Sequence, residues 1–182
     1  RIHDRIAGVP PSAEVLDEME TLIRDNQPVD AARLALEDPA FYDVTLKNLV
    51  APWTNEAMSP FVPLNDYTAT VIGIVRDTGA QNPKIFVDFR DVLTGDILYT
   101  GASGLGIASH SNSNNDHYQE LEAILDGSSI SLSDPSVLEA RTQSSLNPEL
   151  TPDATAGVMT SRAAARAFFI AGTNRAMFRF TL

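Results

Sequence analysis

The stretch NDYTATVIGIVRD, residues 65–77, decides the fold class of this chain. It is rich in β-branched residues, which are typical of strands, so a strand is an open alternative. Two features favour a helix: Asn65 or Asp66 can cap its start, and bulky side chains recur four residues apart, as at Tyr67 and Val71. We therefore predict a helix over this stretch.

The segments on either side also carry helical patterns. Ser12 can cap one helix, and Asp134 can cap another that has Pro135 in its first turn. Thr160 or Ser161 can cap the first of two final helices. The predicted helices besides 65–77 cover residues 15–23, 30–37, 41–49, 118–125, 135–143, 162–170 and 173–182, with a helical turn at 89–93.

Two loops and one strand separate these helices. Residues 85–87 (IFV) form a candidate short strand, and the glycine-rich segment 95–106 is predicted to be an extended loop. The loop over residues 52–63 carries three bulky apolar residues, Trp53, Met58 and Phe61. Their bulk predicts that they pack against the rest of the protein although the backbone is irregular.

These patterns predict a mostly α fold. We expect an irregular multi-helix domain over residues 1–182, with long ordered loops and at most a minor short strand pair. A chain of 182 residues with 43% hydrophobic and 20% charged residues fits one globular domain with a core of its own.

The composition excludes several classes of function. The formal net charge of −11 argues against nucleic-acid binding, because most of the surface would repel a polyanion. The chain has no cysteine, which excludes disulfides, thiolate metal sites and covalent haem attachment within these residues. No apolar run approaches the roughly 20 residues that cross a bilayer.

The two ends predict that the chain is a fragment of a longer protein. It begins at Arg1 without a signal-peptide pattern, and residues 175–182 are helical in pattern without a residue that would stop the helix. The oligomeric state is left open.

The most unusual local composition is the polar tract SHSNSNNDH, residues 109–117. His110 and His117 are candidate ligands, since imidazole commonly binds transition metals and haem iron. The alternative is a solvated loop whose side chains bond their own backbone, with Asp116 capping the next helix. Calcium binding is conceivable from the oxygen-rich side chains, but the spacing is not that of an EF-hand loop.

Two further patterns carry little chemistry. The glycines of residues 101–106 lack the Lys-Ser/Thr of a phosphate-binding loop. Asp88, Asp91 and Asp96 lie close in sequence, but a glycosidase pair needs a fold that brings carboxylates together. A solvated acidic face is the favoured interpretation, and no catalytic residue is assigned.

The charge is distributed unevenly along the chain. No acidic residue follows Asp153, whereas four arginines do, in two pairs with a spacing of four residues: Arg162 and Arg166, then Arg175 and Arg179. Guanidinium groups suit carboxylates, including haem propionates or an acidic neighbouring domain. Pairing with the Asp and Glu residues of this chain itself is the alternative.

Two sets of residues resemble the planctomycete-type cytochrome-associated domains. The first set comprises residues 4–15 (DRIAGVPPSAEV), Trp53, Tyr67, 75–77 (VRD) and 88–93 (DFRDVL); the second comprises 157–161 (GVMTS) and 173–176 (TNRA). The sub-segments 1–100 and 157–182 thus carry the resemblance, while the polar stretch 78–84 and the acidic middle depart from it.

The resemblance implies an exported bacterial protein, periplasmic or extracellular, in which helical modules sit beside c-type haem modules. Covalent haem c would then lie on a missing or neighbouring segment, with His117 or His110 as distal ligand and Arg175 and Arg179 near propionates. The first hypothesis is therefore a helical segment of an electron-transfer protein that walls a haem module or contacts a redox partner. The second is a haem-free interaction or scaffold module with an acidic docking surface. An enzymatic activity is less expected than either.

Overall fold

The computed structural model describes residues 1–78 and 87–169. Three predictions lie outside the described residues: the strand at Ile85 and Phe86, the helix 173–182, and the roles of Arg175 and Arg179. Within them, the elements in chain order are α1 (Ile2–Ile6), α2 (Ala13–Arg24), α3 (Pro28–Glu37), a π-helix (Phe41–Leu46), α4 (Lys47–Val50), a 3-10 helix (Ala51–Thr54), α5 (Asp66–Asp77), α6 (Asp91–Thr94), β1 (Leu98–Gly101), α7 (Asp116–Asp126), β2 (Leu138–Arg141), α8 (Gln143–Leu146), a 3-10 helix (Pro152–Ala154) and α9 (Arg162–Phe168).

The deciding stretch is a helix, α5, and the fold is mostly α with one strand pair. The side chain of Asn65 accepts a hydrogen bond from the Thr68 N–H at 3.1 Å, so Asn65 is the cap. Nearly every residue of α5 is buried. Packing on all sides therefore outweighs the weak strand preference of its β-branched residues.

Other predicted helices are also confirmed. Ser12 caps α2, and Ser161 rather than Thr160 caps α9. Helix α7 is present, but Asn115 precedes it without a side-chain cap bond, so Asp116 is not its cap. Helix α1 is not predicted from sequence, because its five residues are too few to show an apolar periodicity.

The strand pair corrects two local predictions. Strand β1 lies in the predicted loop 95–106, and β2 lies in the predicted helix 135–143. The strands pair antiparallel, with Leu98 opposite Arg141 and Gly101 opposite Leu138. This pairing joins residues some forty positions apart in sequence, and a local periodicity carries no trace of it.

Strand β1 packs on α5 at a glycine. A Cβ at Gly73 would lie 2.2 Å from Cδ1 of Tyr99, so the ring of Tyr99 occupies the space that a side chain would need. Tyr99 is fully buried, and its backbone N–H donates to Oγ1 of Thr70 at 2.9 Å. The absence of a side chain at position 73 thus sets how closely helix and strand approach.

The buried apolar residues form two separate groups. The larger, here called the main core, surrounds α5 and includes Ile72, Tyr99, Tyr118, Leu121 and Leu138. The smaller, here called the N-terminal cluster, joins α1, α2 and α3 around Met19, Ala31 and Ala35. No helix in the described part of the chain is long and apolar enough to cross a membrane.

The loop over residues 52–63 differs from its prediction. Trp53 is 45% exposed, Met58 54% and Phe61 93%, so the prediction that these residues pack is wrong. The side chain of Asn55 donates to the carbonyls of Ala51 and Ser59, both at 2.9 Å. Polar contacts with the backbone therefore hold the loop, and its apolar side chains are not needed for packing.

Candidate functional site

His117, in the first turn of α7, is buried and has hydrogen bonds at both ring nitrogens. Its Nδ1 lies 2.6 Å from the carbonyl of Ala108, and its Nε2 accepts the Gly101 N–H at 2.9 Å. A carbonyl only accepts and an amide N–H only donates, so the ring is the tautomer with hydrogen on Nδ1. The ring ties strand β1 to the loop before α7.

His110 lies beside His117 but is bonded differently. Its Nε2 is buried and has no hydrogen-bond partner among the described residues. The ring makes edge-to-face contacts with His117 and Tyr118, at centroid distances of 6.1 and 6.0 Å. Burial lowers the pKa of His110 below its ordinary value, and the neutral ring keeps a lone pair that nothing described uses.

These two histidines line a cleft of 320 Å³ at the end of β1. The glycine-rich segment forms one rim, and Gly104 and Gly106 adopt φ values of +106° and +72°, which favour glycine. Glu139 and Arg141 of β2 also line this cleft. The polar tract 109–117 and the glycines of residues 101–106, which are separate patterns in the sequence, thus line one cleft.

Asp66 fixes the start of α9 against the start of α5. Its carboxylate is buried and accepts the N–H groups of Arg162 at 2.6 Å and of Ala163 at 3.0 Å. Two backbone donors at a helix start are thereby paired with a charged acceptor. Asp66 is one of the two candidates for the α5 cap, yet it serves a helix that lies 96 residues further along the chain.

The arginines of α9 face a second cleft. A guanidinium nitrogen of Arg162 donates to the side-chain carbonyl of Asn115, while Nε of Arg162 is buried without a hydrogen-bond partner among the described residues. Arg166 is exposed and forms no ion pair with any described residue. Arg162 and Arg166 both line a cleft of 270 Å³, here called the arginine pocket.

The motif residues Arg76 and Asp77 form a buried ion pair. Nε of Arg76 lies 2.7 Å from Oδ1 of Asp77, and the two side chains are 6% and 10% exposed. Arg76 also donates to the backbone carbonyls of Leu132, Asp134 and Leu138. The phenol of Tyr99 donates to Oδ2 of Asp77 at 2.7 Å, and burial together with this bond raises the pKa of Tyr99. The pair joins α5 to both strands and to the segment before β2.

The GVMTS motif at 157–161 also has a structural role. Gly157 has φ +54°, and a Cβ there would lie 2.0 Å from the carbonyl oxygen of Val92. Its carbonyl accepts the side-chain amide of Gln143 at 2.7 Å. The motif therefore packs the segment that leads into α9 against the backbone around α6.

The acidic residues near α6 do not converge on one point. Asp88 accepts from the backbone and side chain of Arg90, and these bonds lower the pKa of Asp88. Asp91 accepts the N–H of Asp88, while Asp96 accepts from Ser144. Within residues 1–78 and 87–169, no group of three or more His, Asp or Glu residues is arranged to hold a metal ion.

The polar residues Asn115 and Gln119 of the arginine pocket were not predicted from sequence. A signal existed for Asn115, because Asn directly before a helix is typical of a cap. Its amide instead donates to the carbonyl of Leu64 at 2.7 Å and its carbonyl accepts from Arg162. Only the packing of α7 against the segment before α5 shows this role.

The described residues form a mostly helical domain with two clefts, one lined by His110 and His117 and the other being the arginine pocket. Comparison with protein-family models, with curated proteins and with solved structures gives no match. The function is therefore argued from the residues themselves.

Proposed function

We propose that the chain is a helical segment of an extracytoplasmic, periplasmic or extracellular, c-type cytochrome-like protein and walls a haem module outside this chain. The observation that carries the proposal is the exposed apolar segment 49–61, in which Leu49, Trp53, Met58 and Phe61 are 58%, 45%, 54% and 93% exposed. Large apolar side chains exposed together mark a surface that another body covers. The resemblance at residues 4–15, 75–77 and 157–161 supports a haem module as that body.

The histidines differ in what they offer to such a module. Haem supplies one-electron chemistry, and an axial imidazole ligand tunes its potential. Nε2 of His110 has no partner among the described residues, so in the tautomer with hydrogen on Nδ1 it can offer a lone pair to iron. His117 would have to give up its bond from the Gly101 N–H to bind iron through Nε2. His110 is therefore the better candidate of the two, and the ligand role of His117 stays a prediction.

The absorption spectrum of the native protein tests the haem assignment. We expect a c-type haem spectrum and an intact mass above the 19.7 kDa of this chain. The substitution His110→Ala should change the haem spin state, whereas Asn112→Ala, at an exposed position in the same tract, is the matched control and should leave it unchanged. A native protein without haem absorbance would overturn the proposal; unchanged spectra in His110→Ala and His117→Ala would remove the ligand role alone.

The wall itself is tested on the same native protein. The pair Trp53→Ser and Phe61→Ser should let water reach the haem edge and lower its midpoint potential, because water favours the more highly charged ferric form. Phe89→Ser is the matched control, since Phe89 is 59% exposed and lies outside segment 49–61. Equal potentials in the double variant and in the control would contradict a wall at this segment.

A second candidate is favoured by one observation on α2. All 24 acidic residues of the chain lie in the described ranges, against ten of the 13 basic ones. Helix α2 exposes Glu14, Asp17 and Glu18, which lie three and four residues apart and so share one face. A haem-free interaction module would dock a basic partner on this face. Binding that weakens steeply with salt, without any haem-linked spectral change, would favour this function over the first.

A further inference from the structure

The arginine pocket lies in an otherwise acidic protein, and none of the residues that line it is acidic. Besides the two arginines of α9, its lining comprises one hydroxyl and four amide side chains, Thr54, Asn55, Asn65, Asn115 and Gln119, and the apolar residues Val62, Pro63 and Ala163. Its 270 Å³ is close to the lower size of small-molecule sites, so it can take a small ligand or one charged group of a larger one.

Both arginines have unused binding capacity. Nε of Arg162 is a buried donor without a partner among the described residues, and such donors are rare in folded proteins. Arg166 lies one helical turn further along α9, on the same face, and is not paired with any described carboxylate.

The carboxylate of Asp66, which is bonded to the backbone at the start of α9, does not pair with the two arginine side chains. Asp66 accepts the backbone N–H groups of Arg162 and Ala163 and the N–H of Tyr67, so its oxygens are engaged at the start of the two helices. It does not line the arginine pocket. The pocket therefore keeps its positive character beside a carboxylate that is already hydrogen-bonded.

We propose that the arginine pocket is an oxyanion-binding site, in which Arg162 and Arg166 hold a carboxylate or phosphate group and Asn115 fixes the Arg162 guanidinium. Planar guanidinium groups bind both oxyanions with paired, charge-assisted hydrogen bonds. Asn115 is a positioning residue, because its carbonyl accepts from Arg162 while its amide is anchored on Leu64. The proposal does not rest on the haem assignment.

Titration of the 182-residue chain with succinate, and separately with inorganic phosphate, at constant ionic strength tests the site. The side-chain Nε–H resonances of Arg162 and Arg166 should shift on binding, since both guanidinium groups line the pocket. Arg166→Gln should weaken binding by about tenfold, the loss expected for one charge-assisted hydrogen bond. It leaves every hydrogen bond and ion pair described for the fold intact.

Arg33→Gln is the matched control. It removes the same charge from an exposed arginine that pairs with Asp30, far along the chain from α9. Saturable binding of succinate with loss in Arg166→Gln alone assigns the site to a carboxylate; the same pattern with phosphate assigns it to a phosphate group. Absence of binding by both probes, or an equal loss in Arg33→Gln, would overturn the proposal.

Discussion

The N-terminal cluster and the main core both consist largely of helices, but they use charged residues in different ways. In the N-terminal cluster, the pair Asp30–Arg33 is exposed, and the buried centre consists of Met19 and two alanines. In the main core, the pair Arg76–Asp77 is buried and bonded to both strands. Helices α2 and α3 of the N-terminal cluster can be recognised from local periodicity, whereas the strand pair and the buried ion pair of the main core depend on residues distant in sequence.

The largest difference between the regions is expected when each ion pair is broken. Asp77→Ala leaves the buried Arg76 without its counter-charge and the Tyr99 phenol without its acceptor, so we expect a loss of about 3–5 kcal/mol in the free energy of unfolding. Asp30→Ala removes one partner of an exposed pair and should change this free energy by less than about 1 kcal/mol. Urea denaturation measures both. Equal losses would show that burial does not separate the two pairs.

Truncation of one leucine in each region compares their packing. Leu121 is fully buried in the main core, so Leu121→Ala should cost about 2–5 kcal/mol. Leu22 is only partly buried where it packs against the N-terminal cluster, so Leu22→Ala should lower the free energy of unfolding by roughly 1 kcal/mol. Thermal unfolding followed by circular dichroism provides the readout. A larger loss for Leu22→Ala would contradict the division into a major and a minor core.

The serine caps compare the two regions at the level of one hydrogen bond. Ser161 is buried and its Oγ accepts the Ala164 N–H at 3.3 Å, so Ser161→Ala leaves a buried donor unpaired and should cost about 1–3 kcal/mol. Ser12 makes the same bond at 3.3 Å to the Val15 N–H but is exposed, so water replaces it and Ser12→Ala should cost about 1 kcal/mol. Denaturant unfolding of the two variants tests the order; the reverse order would show that cap burial has no influence here.

The smallest expected effect is a pH dependence confined to the main core. Burial lowers the pKa of His110, with Asp66 opposing and His117, Arg162 and Arg141 adding to the shift. Just below the ordinary histidine pKa of 6.5, the unfolded chain therefore binds more protons than the folded one. The free energy of unfolding keeps its full His110 contribution above this pH and decreases as the pH falls below it.

Unfolding measured between about pH 7 and pH 5 should show this slope, and His110→Gln should flatten it. Hydrogen exchange should locate the acid-induced loss of protection in α5 and α7 rather than in α2 and α3. The same slope in His110→Gln would assign the pH dependence to other groups.

Local patterns predicted more of the helices than of the site. The caps Ser12, Asn65 and Ser161 were within reach of sequence, because each acts on a backbone N–H three residues further along. The histidines were chosen by composition, but only the fold shows that both ring nitrogens of His117 are hydrogen-bonded, whereas Nε2 of His110 has no partner among the residues that the structure describes. Phe61 was predicted to be packed and is exposed. The loop is held by hydrogen bonds of the Asn55 side chain to the backbone, and a pattern of apolar residues does not reveal such bonds.

By itself, the sequence determined the mostly helical class, the acidic character and the absence of cysteine chemistry in this chain. These depend on composition and on spacings of three or four residues. Tertiary structure alone decided the strand pairing of β1 with β2, the partner of Asp66 on α9, and the Arg162 donor that no residue of 1–78 or 87–169 pairs with. Each of these depends on which groups meet after the chain has folded, and a buried polar group is defined by its neighbours in space rather than in sequence.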